Sequence, residues 1–412
     1  MERVVITGIG AISALGIGAD TNFTQALGAQ SGIDLAQVDS AHHHIAQVAA
    51  QIRFPLPDLI KKAEAPLFDR VALLAWIAAS EALQQAGIDP TQHDLTDSGV
   101  FWGTGMGGAN TLEAAYVDLF VAEKNRVRPL SIVAGMNNSS ASHIALKAGF
   151  GGSVMTFSSA CVSSAQAIGE AFRHIRHGYA PRVLAGGSEA LLTFGVMTSW
   201  EALRVIAFAD PDDARRSCKP FSSDRSGLVL GEAGAAVMLE SLSSAQARGA
   251  TILAELVGYG TSNDATHMTK PDPHGQARAM RMALAQAGMG AAGIDYINAH
   301  GAATAAGDIA ETTSIKEVFG AHAAALMVSS TKAVHGHTLG AAGALEFVLT
   351  VQALRTQSVP PTAFLTQPDP LCDLDYVPNE ARLNQSVRAA MSNSFAFGGS
   401  NVALIATPFP NN

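Results

Sequence analysis

The residues in this chain best suited to chemistry are a cysteine and two distant histidines. Cys161 stands in Ser-Ser-Ala-Cys161-Val-Ser-Ser, between an apolar β-type run over Val154–Phe157 and an alanine-rich helical stretch ending near Gly178. A thiol at the first turn of a helix meets unpaired backbone N–H groups and the positive end of the helix dipole, both of which favour the reactive thiolate. Cys161 is therefore a candidate nucleophile, with a small buried hydrophobe as the alternative reading. The histidine segments are Tyr-Ile-Asn-Ala-His300-Gly-Ala-Ala-Thr304 and Ser-Ser-Thr-Lys332-Ala-Val-His-Gly-His337-Thr-Leu-Gly, which continues to Glu346. Each opens on a short apolar run and breaks at glycine, which predicts a histidine at the end of a strand, where rigid elements commonly hold catalytic groups.

Further segments extend the pattern along the chain: Val-Val-Ile-Thr-Gly-Ile-Gly-Ala near the start, Lys219-Pro-Phe-Ser-Ser-Asp224-Arg225-Ser-Gly, Leu230-Gly-Glu-Ala-Gly-Ala, and Asn393-Ser-Phe-Ala-Phe-Gly-Gly-Ser-Asn401. Together these motifs resemble the β-ketoacyl-[acyl-carrier-protein] synthases of the elongating type, members of the thiolase-fold condensing enzymes. The resemblance implies an acyl-accepting Cys161, active-site histidines His300 and His337, a supporting Lys332–Glu346 ion pair, and Phe397 as an aromatic gate beside the thiol. It also implies an oxyanion hole from the backbone N–H groups of Cys161 and Phe397. Met106, Thr304, Phe395, Asp264 and His267 are expected at the acyl pocket or the pantetheine arm, the last two in a mobile loop, Asn263–Thr269, opposite the gate.

The implied reaction explains these residue types. An acyl group passes from the phosphopantetheine thioester of a carrier protein to Cys161, dividing one difficult condensation into two steps. Malonyl-carrier then loses CO2, and two imidazole N–H donors stabilise the enolate oxygen, an effect of about 3 kcal/mol or more per donor. The Lys332–Glu346 pair is expected to orient a histidine and fix its protonation state. Two segments depart from the family pattern. His300-Gly-Ala302-Ala303-Thr304 stands where His-Gly-Thr-Ser-Thr is usual, removing a hydroxyl expected on the pantetheine arm, and Gly227-Leu228 replaces Gly-Phe.

No cofactor is expected, since the carrier's arm presents the substrates. Gly103-Thr-Gly105-Met-Gly-Gly108 imitates a dinucleotide fingerprint but lacks a convincing acidic residue closing a second strand about 20 positions on, as a ribose contact requires. No metal site is expected: consecutive His42, His43 and His44 point in different directions and read as a surface loop. The formal charge of −9 argues against nonspecific nucleic-acid binding. A local basic patch for an acidic carrier protein is still expected, drawn from Lys61, Lys62, Lys124, Arg126, Arg128 and Arg204. No apolar run approaches the ~18 residues of a membrane span. Cys161, Cys218 and Cys372 suggest neither a disulfide framework nor a CxxC zinc site, in keeping with a reducing cytoplasm.

The elements that must position these groups alternate along the chain. Helices are predicted over Asp69–Ala86, Gln276–Ala287 and Ala341–Arg355, and a buried strand over Val183–Gly187. Such alternation predicts α/β layering. The resemblance sharpens this to a thiolase-like αβαβα arrangement of two pseudo-symmetric halves, 1–250 with the nucleophile and 251–412 with both histidines. It also implies a dimer whose partner closes the acyl pocket, either a homodimer or a heterodimer with a chain-length-factor-like subunit. Three functions compete: a fatty-acid synthase of the elongating type, a specialised type II polyketide or aryl polyene ketosynthase, and a noncatalytic chain-length factor. Retention of Cys161, His300 and His337 together weighs against the third. The C-terminal Asn-Ser-Phe-Ala-Phe-Gly-Gly segment lacks a degradative thiolase's second cysteine, and an initiating synthase would carry Asn in place of His337.

Overall fold

A computed structural model describes residues 1–410. Its strands are β1 (Val4–Ser13), β2 (Gly16–Ile17), β3 (Asp34–Ser40), β4 (His43–Ala50), β5 (Gly99–Gly103), β6 (Val154–Phe157), β7 (Arg182–Glu189) and β8 (Leu230–Gly231). They continue with β9 (Ala233–Ser241), β10 (Ala254–Asn263), β11 (Tyr296–Asn298), β12 (Met327–Ser329), β13 (Ala390–Phe395) and β14 (Ser400–Thr407). The large sheet runs β12-β11-β13-β14-β10-β1-β9-β7-β5-β6, and a small one runs β3-β4-β8.

The large sheet contains a repeat. Outward from β1 the order is β1-β9-β7-β5-β6, and outward from β10 it is β10-β14-β13-β11-β12. In both, the chain's first strand meets its fifth, then fourth, second and third. The pairings also repeat, with two antiparallel contacts followed by two parallel ones. The halves join where β1 pairs antiparallel with β10, from Val4–Leu256 to Ile6–Ala254.

Layering follows from which helix faces are apolar. The helix Ala342–Thr356 is buried on every side from Ala342 to Leu354, as expected of a helix enclosed by protein. It packs with the helix Ser163–Arg176 between strands of both halves. The helices Arg70–Gln85 and Ser139–Ala148 cover the first half, while Pro273–Ala287 and Ala305–Phe319 cover the second. Helix, sheet, helix, sheet and helix thus succeed one another, the αβαβα arrangement expected.

The predicted elements appear with ends displaced by a few residues at most. Asp69 caps the helix Arg70–Gln85, accepting from Val71 N–H, and Pro273 opens the helix Pro273–Ala287. β1 is buried along its whole length, the pattern of a strand covered on both faces. Its Gly8 and Gly10 admit the covering helix: a Cβ there would lie 2.0 and 2.1 Å from the Ala82 and Ala78 carbonyl oxygens. The triple histidine is not a loop. His43 and His44 begin β4 of a β3–β4 hairpin, His43 stacked on Phe194 and His44 paired with Asp39.

Candidate active site

The site gathers the C-terminal ends of strands from both halves. Beyond β6 the chain turns through Ala160, at φ +53°, and puts Cys161 in a single turn, Ala160–Val162, just before the helix Ser163–Arg176. Ser163 fixes that turn, its hydroxyl accepting from Ser159 N–H at 2.9 Å and donating to the Ala160 carbonyl at 2.6 Å. Cys161 is 6% exposed at the wall of a cavity of about 370 Å³. Burial pushes its thiol up to about 12, against the Lys332 charge and a hydrogen bond from the Phe397 backbone. The dipole of the following helix acts in the same downward direction as those two. Desolvation thus opposes the thiolate that the helix dipole, Lys332 and the Phe397 N–H favour.

His300 follows β11, and His337 lies beyond β12 in a bridge to Leu230. Both line the cavity, with ring centroids 5.2 Å apart and planes nearly perpendicular. Burial first, then the Lys332 charge and a neighbouring imidazole, hold both well below the ordinary histidine range. They are neutral. Nδ1 of His337 accepts from Leu339 N–H at 3.2 Å, which leaves the ring proton on Nε2. His335, two residues earlier, bonds Gly336 O and Thr331 Oγ1 and is wholly buried, a structural residue.

Lys332 and Glu346 form a fully buried ion pair behind the histidines. The Lys332 ammonium also donates to the backbone carbonyl of His300 at 2.6 Å, so it holds that histidine's main chain. Burial pushes the Glu346 carboxyl up to about 7, opposed by Lys332. On the other side of the segment, Glu311 accepts from His300 N–H at 2.9 Å and Gly301 N–H at 2.7 Å. Sequence alone does not single out Glu311; its signal is a carboxylate in the second turn of the helix that follows the His300 loop.

Phe397 borders the cavity in a turn with Gly398 and Gly399 at φ +85° and +76°, conformations open to glycine. Its ring stacks on Trp200 at 6.0 Å, and Trp200 is another residue not read from the sequence. Phe395 also lines the cavity, 6.0 Å from the His300 ring. Thr304 lines it as well, but its hydroxyl accepts from Gly307 N–H and caps the helix Ala305–Phe319. Asp264 reaches the cavity while bonding Asn401 at 2.6 Å and Asp272 N–H at 3.0 Å, which ties its loop down to β14.

Other expected residues lie outside this cavity. Met106 is 49% exposed and does not line this cavity, because its backbone N–H turns inward to Glu189 and sends the side chain out. His267 also stays outside, its Nδ1 accepting from Thr269 and Lys270 N–H groups of its own loop. The Gly103–Gly108 turn wraps the buried carboxylate of Glu189 rather than a phosphate. Of the six expected cations only Arg204 reaches the mouth, where Lys270, not foreseen, joins it. Lys61, Lys62, Lys124, Arg126 and Arg128 are exposed elsewhere, and Lys124 is paired with Asp118 at 2.7 Å.

Two family models match, "Beta-ketoacyl synthase, N-terminal domain" over residues 1–245 and "Beta-ketoacyl synthase, C-terminal domain" over residues 253–366. The chain belongs to the β-ketoacyl synthase family. It is thus a condensing acyltransferase of the thiolase-like fold. "Nodulation protein E" of Rhizobium sp. (strain N33) is 43% identical over 404 residues, covering 98% of each chain. "3-oxoacyl-[acyl-carrier-protein] synthase 2" of Staphylococcus aureus (strain COL) is 38% identical over 411 residues, covering 99% of each. Among solved structures, "The ishigamide ketosynthase/chain length factor" matches with a TM-score of 0.91 and 30% identity, covering 99% of this chain and 100% of that one. Among the described residues of this ketosynthase, no helix is long and apolar enough to cross a membrane.

Proposed function

We propose that this ketosynthase transfers an acyl group from a carrier protein to Cys161 and condenses it with malonyl-carrier, giving 3-oxoacyl-carrier and CO2. In loading, the Cys161 sulfur attacks the thioester carbonyl, the new C–S bond replaces the one to pantetheine, and the thiol proton leaves on the pantetheine sulfur. The N–H groups of Cys161 and Phe397 hold the tetrahedral oxyanion. In condensation, the malonyl C–C bond breaks with loss of CO2 while His300 and the Nε2–H of His337 donate to the thioester oxygen. The carbanion attacks the acyl-enzyme, the C–S bond to Cys161 breaks, and Cys161 departs as thiolate and takes a proton from solvent. Neutral donors suit this task, because they stabilise developing charge without surrendering a proton to it.

The observation that carries this reading is a single cavity holding a cysteine, the Phe397 N–H aimed at its sulfur, and two neutral imidazoles 5.2 Å apart. No cofactor is needed, since these residues meet each charge shift. Arg204 and Lys270 at the mouth, beside exposed Met268, suit an acidic carrier with an apolar contact point. Intact-mass analysis after incubation with acyl-carrier, together with CO2 release from malonyl-carrier, tests the assignment. Absence of an acyl adduct on Cys161 rejects it.

A second subunit, common to the housekeeping and the specialised readings, is favoured by one feature. β6 is an edge strand with Val154 and Met155 about two-fifths exposed, and Tyr116, Phe120, Ile132 and Val133 are exposed as well. Exposed apolar side chains and an open strand edge suit a partner subunit, either a second copy or a chain-length-factor-like chain. Light scattering of the chain alone separates these, since a monomer that acts only after addition of a companion subunit indicates the heterodimer. We further assign residues 1–250 to the half with the nucleophile and those from 251 onward to the half with both histidines, a division supported by the repeated strand order. Buried thiols and the absence of a membrane-crossing helix among the described residues support a cytoplasmic location.

A further inference from the structure

Glu189 ends β7 with its side chain wholly buried, and no step of the reaction above employs it. Its carboxylate accepts from four donors on two separate segments. One oxygen takes the N–H groups of Gly105 at 2.6 Å and Gly340 at 2.9 Å. The other takes the Thr104 hydroxyl at 3.2 Å and the Met106 N–H at 3.4 Å. The two turns close on it so tightly that glycine is required. A Cβ at Gly340 would stand 2.3 Å from the Gly105 nitrogen and 2.5 Å from the carboxylate, and one at Gly105 would stand 2.7 Å from it.

Gly340 follows Leu339, held at φ +47°, and it is the Leu339 N–H that occupies Nδ1 of His337. The carboxylate therefore anchors the peptide next to the one that selects the imidazole tautomer. All four contacts are donors. An ionised carboxylate accepts them all, whereas a glutamine amide would set its own N–H groups against one side of the cage.

We propose that Glu189 is a positioning residue that locks His337 in the tautomer with its proton on Nε2, acting through the Leu339–Gly340 turn. This rests on the ketosynthase reading for the part His337 plays in decarboxylation.

The test uses the full chain with 15N-labelled histidine, as wild type, Glu189→Gln and Glu189→Asp, with the His337 signals assigned by their loss in His337→Asn. In wild type the Nδ1 shift should be that of an unprotonated nitrogen; a protonated Nδ1 overturns the proposal without any variant. In Glu189→Gln the signals should move toward a mixture of tautomers. Decarboxylation of malonyl-carrier should fall about 10- to 100-fold, the usual cost of losing an orienting partner, while loading of Cys161 stays within about threefold. Glu189→Asp should recover part of the decarboxylation rate. A wild-type tautomer signature in the Gln variant, or an unchanged decarboxylation rate, overturns the proposal. If wild type itself fails to load Cys161, the ketosynthase reading falls, and the tautomer spectra still decide the role of Glu189.

Discussion

The Lys332 ammonium donates to the backbone carbonyl of His300 at 2.6 Å, so the charge that helps keep both imidazoles neutral is fastened to the histidine segment itself. Its partner Glu346 is wholly buried, and removal of the cation would leave a carboxylate without its counter-charge. Such a change typically costs about 3–5 kcal/mol.

A pH profile follows from that contact. Because burial and Lys332 lower both histidine pKa values, wild-type decarboxylation should show no acid limb at the ordinary histidine value of about 6.5. Lys332→Met removes the largest lowering influence after burial, so both pKa values should rise toward the ordinary range and an acid limb should emerge nearer to it. Rates measured on malonyl-carrier across pH check this. A wild-type limb centred near pH 6.5 would show that the imidazoles titrate normally.

The division of labour between sulfur and imidazole gives a second expectation. Cys161→Ala should abolish the covalent acyl adduct and condensation while leaving the histidine pair in place. His300→Ala and His337→Ala should each still load an acyl group but lose about 10²–10³ in decarboxylation, the usual loss for an oxyanion-type donor. Intact mass and CO2 release measure the two steps separately. Full condensation by either histidine variant would remove that residue from the reaction.

Local signals made much of this site legible, and longer contacts hid the rest. The strand–turn–helix around Cys161 and the glycine breaks after His300 and His337 are written in neighbouring residues. The repeat of strand order is a property of pairing, with no trace in the residues themselves. Glu189 lies 151 residues from Gly340, and Trp200 meets Phe397 only through the fold, so neither has a local pattern to betray it. Met106 and His267 lie outside the cavity for a related reason. A motif fixes where the backbone goes, whereas the side chain follows the hydrogen bonds the backbone finds, here Glu189 and the Thr269–Lys270 turn.

The stacking of Phe397 on Trp200 gives a third expectation. Rotation of the Phe397 ring away from the thiol must break that stack, and the glycines at 398 and 399 supply the backbone freedom to do so. Acyl loading should therefore change the indole fluorescence of Trp200, read by difference against Trp200→Phe. Phe397→Ala should abolish that change and slow loading while leaving thermal stability within about 1–2 °C of wild type, since the ring is only partly buried. Identical loading kinetics across several chain lengths in Phe397→Ala would reduce the ring to packing.

His335 offers an expectation about stability that is separate from catalysis. Burial is the main cause that lowers its pKa to about 3, with the Lys332 charge adding to it. The unfolded chain should titrate near the ordinary value of about 6.5. Below that pH the unfolded state binds a proton that the native state refuses, so His335 makes stability fall as the solution becomes more acid, by about 1.4 kcal/mol per pH unit. Glu189, Glu346 and Asp308, with carboxyls raised to about 7, act in the opposite sense, but they are common to wild type and variant and cancel in the difference. His335→Gln should be less stable than wild type by about 1–3 kcal/mol at pH 8, having disturbed the bonds to Gly336 O and Thr331 Oγ1. Descending through pH 6.5 the gap should narrow, and by about pH 5 the variant should be the equal of wild type or better. Urea unfolding of both proteins at several pH values measures the difference directly. A gap that stays constant from pH 8 to pH 5 would mean that His335 takes up its proton in the native state as readily as in the unfolded one.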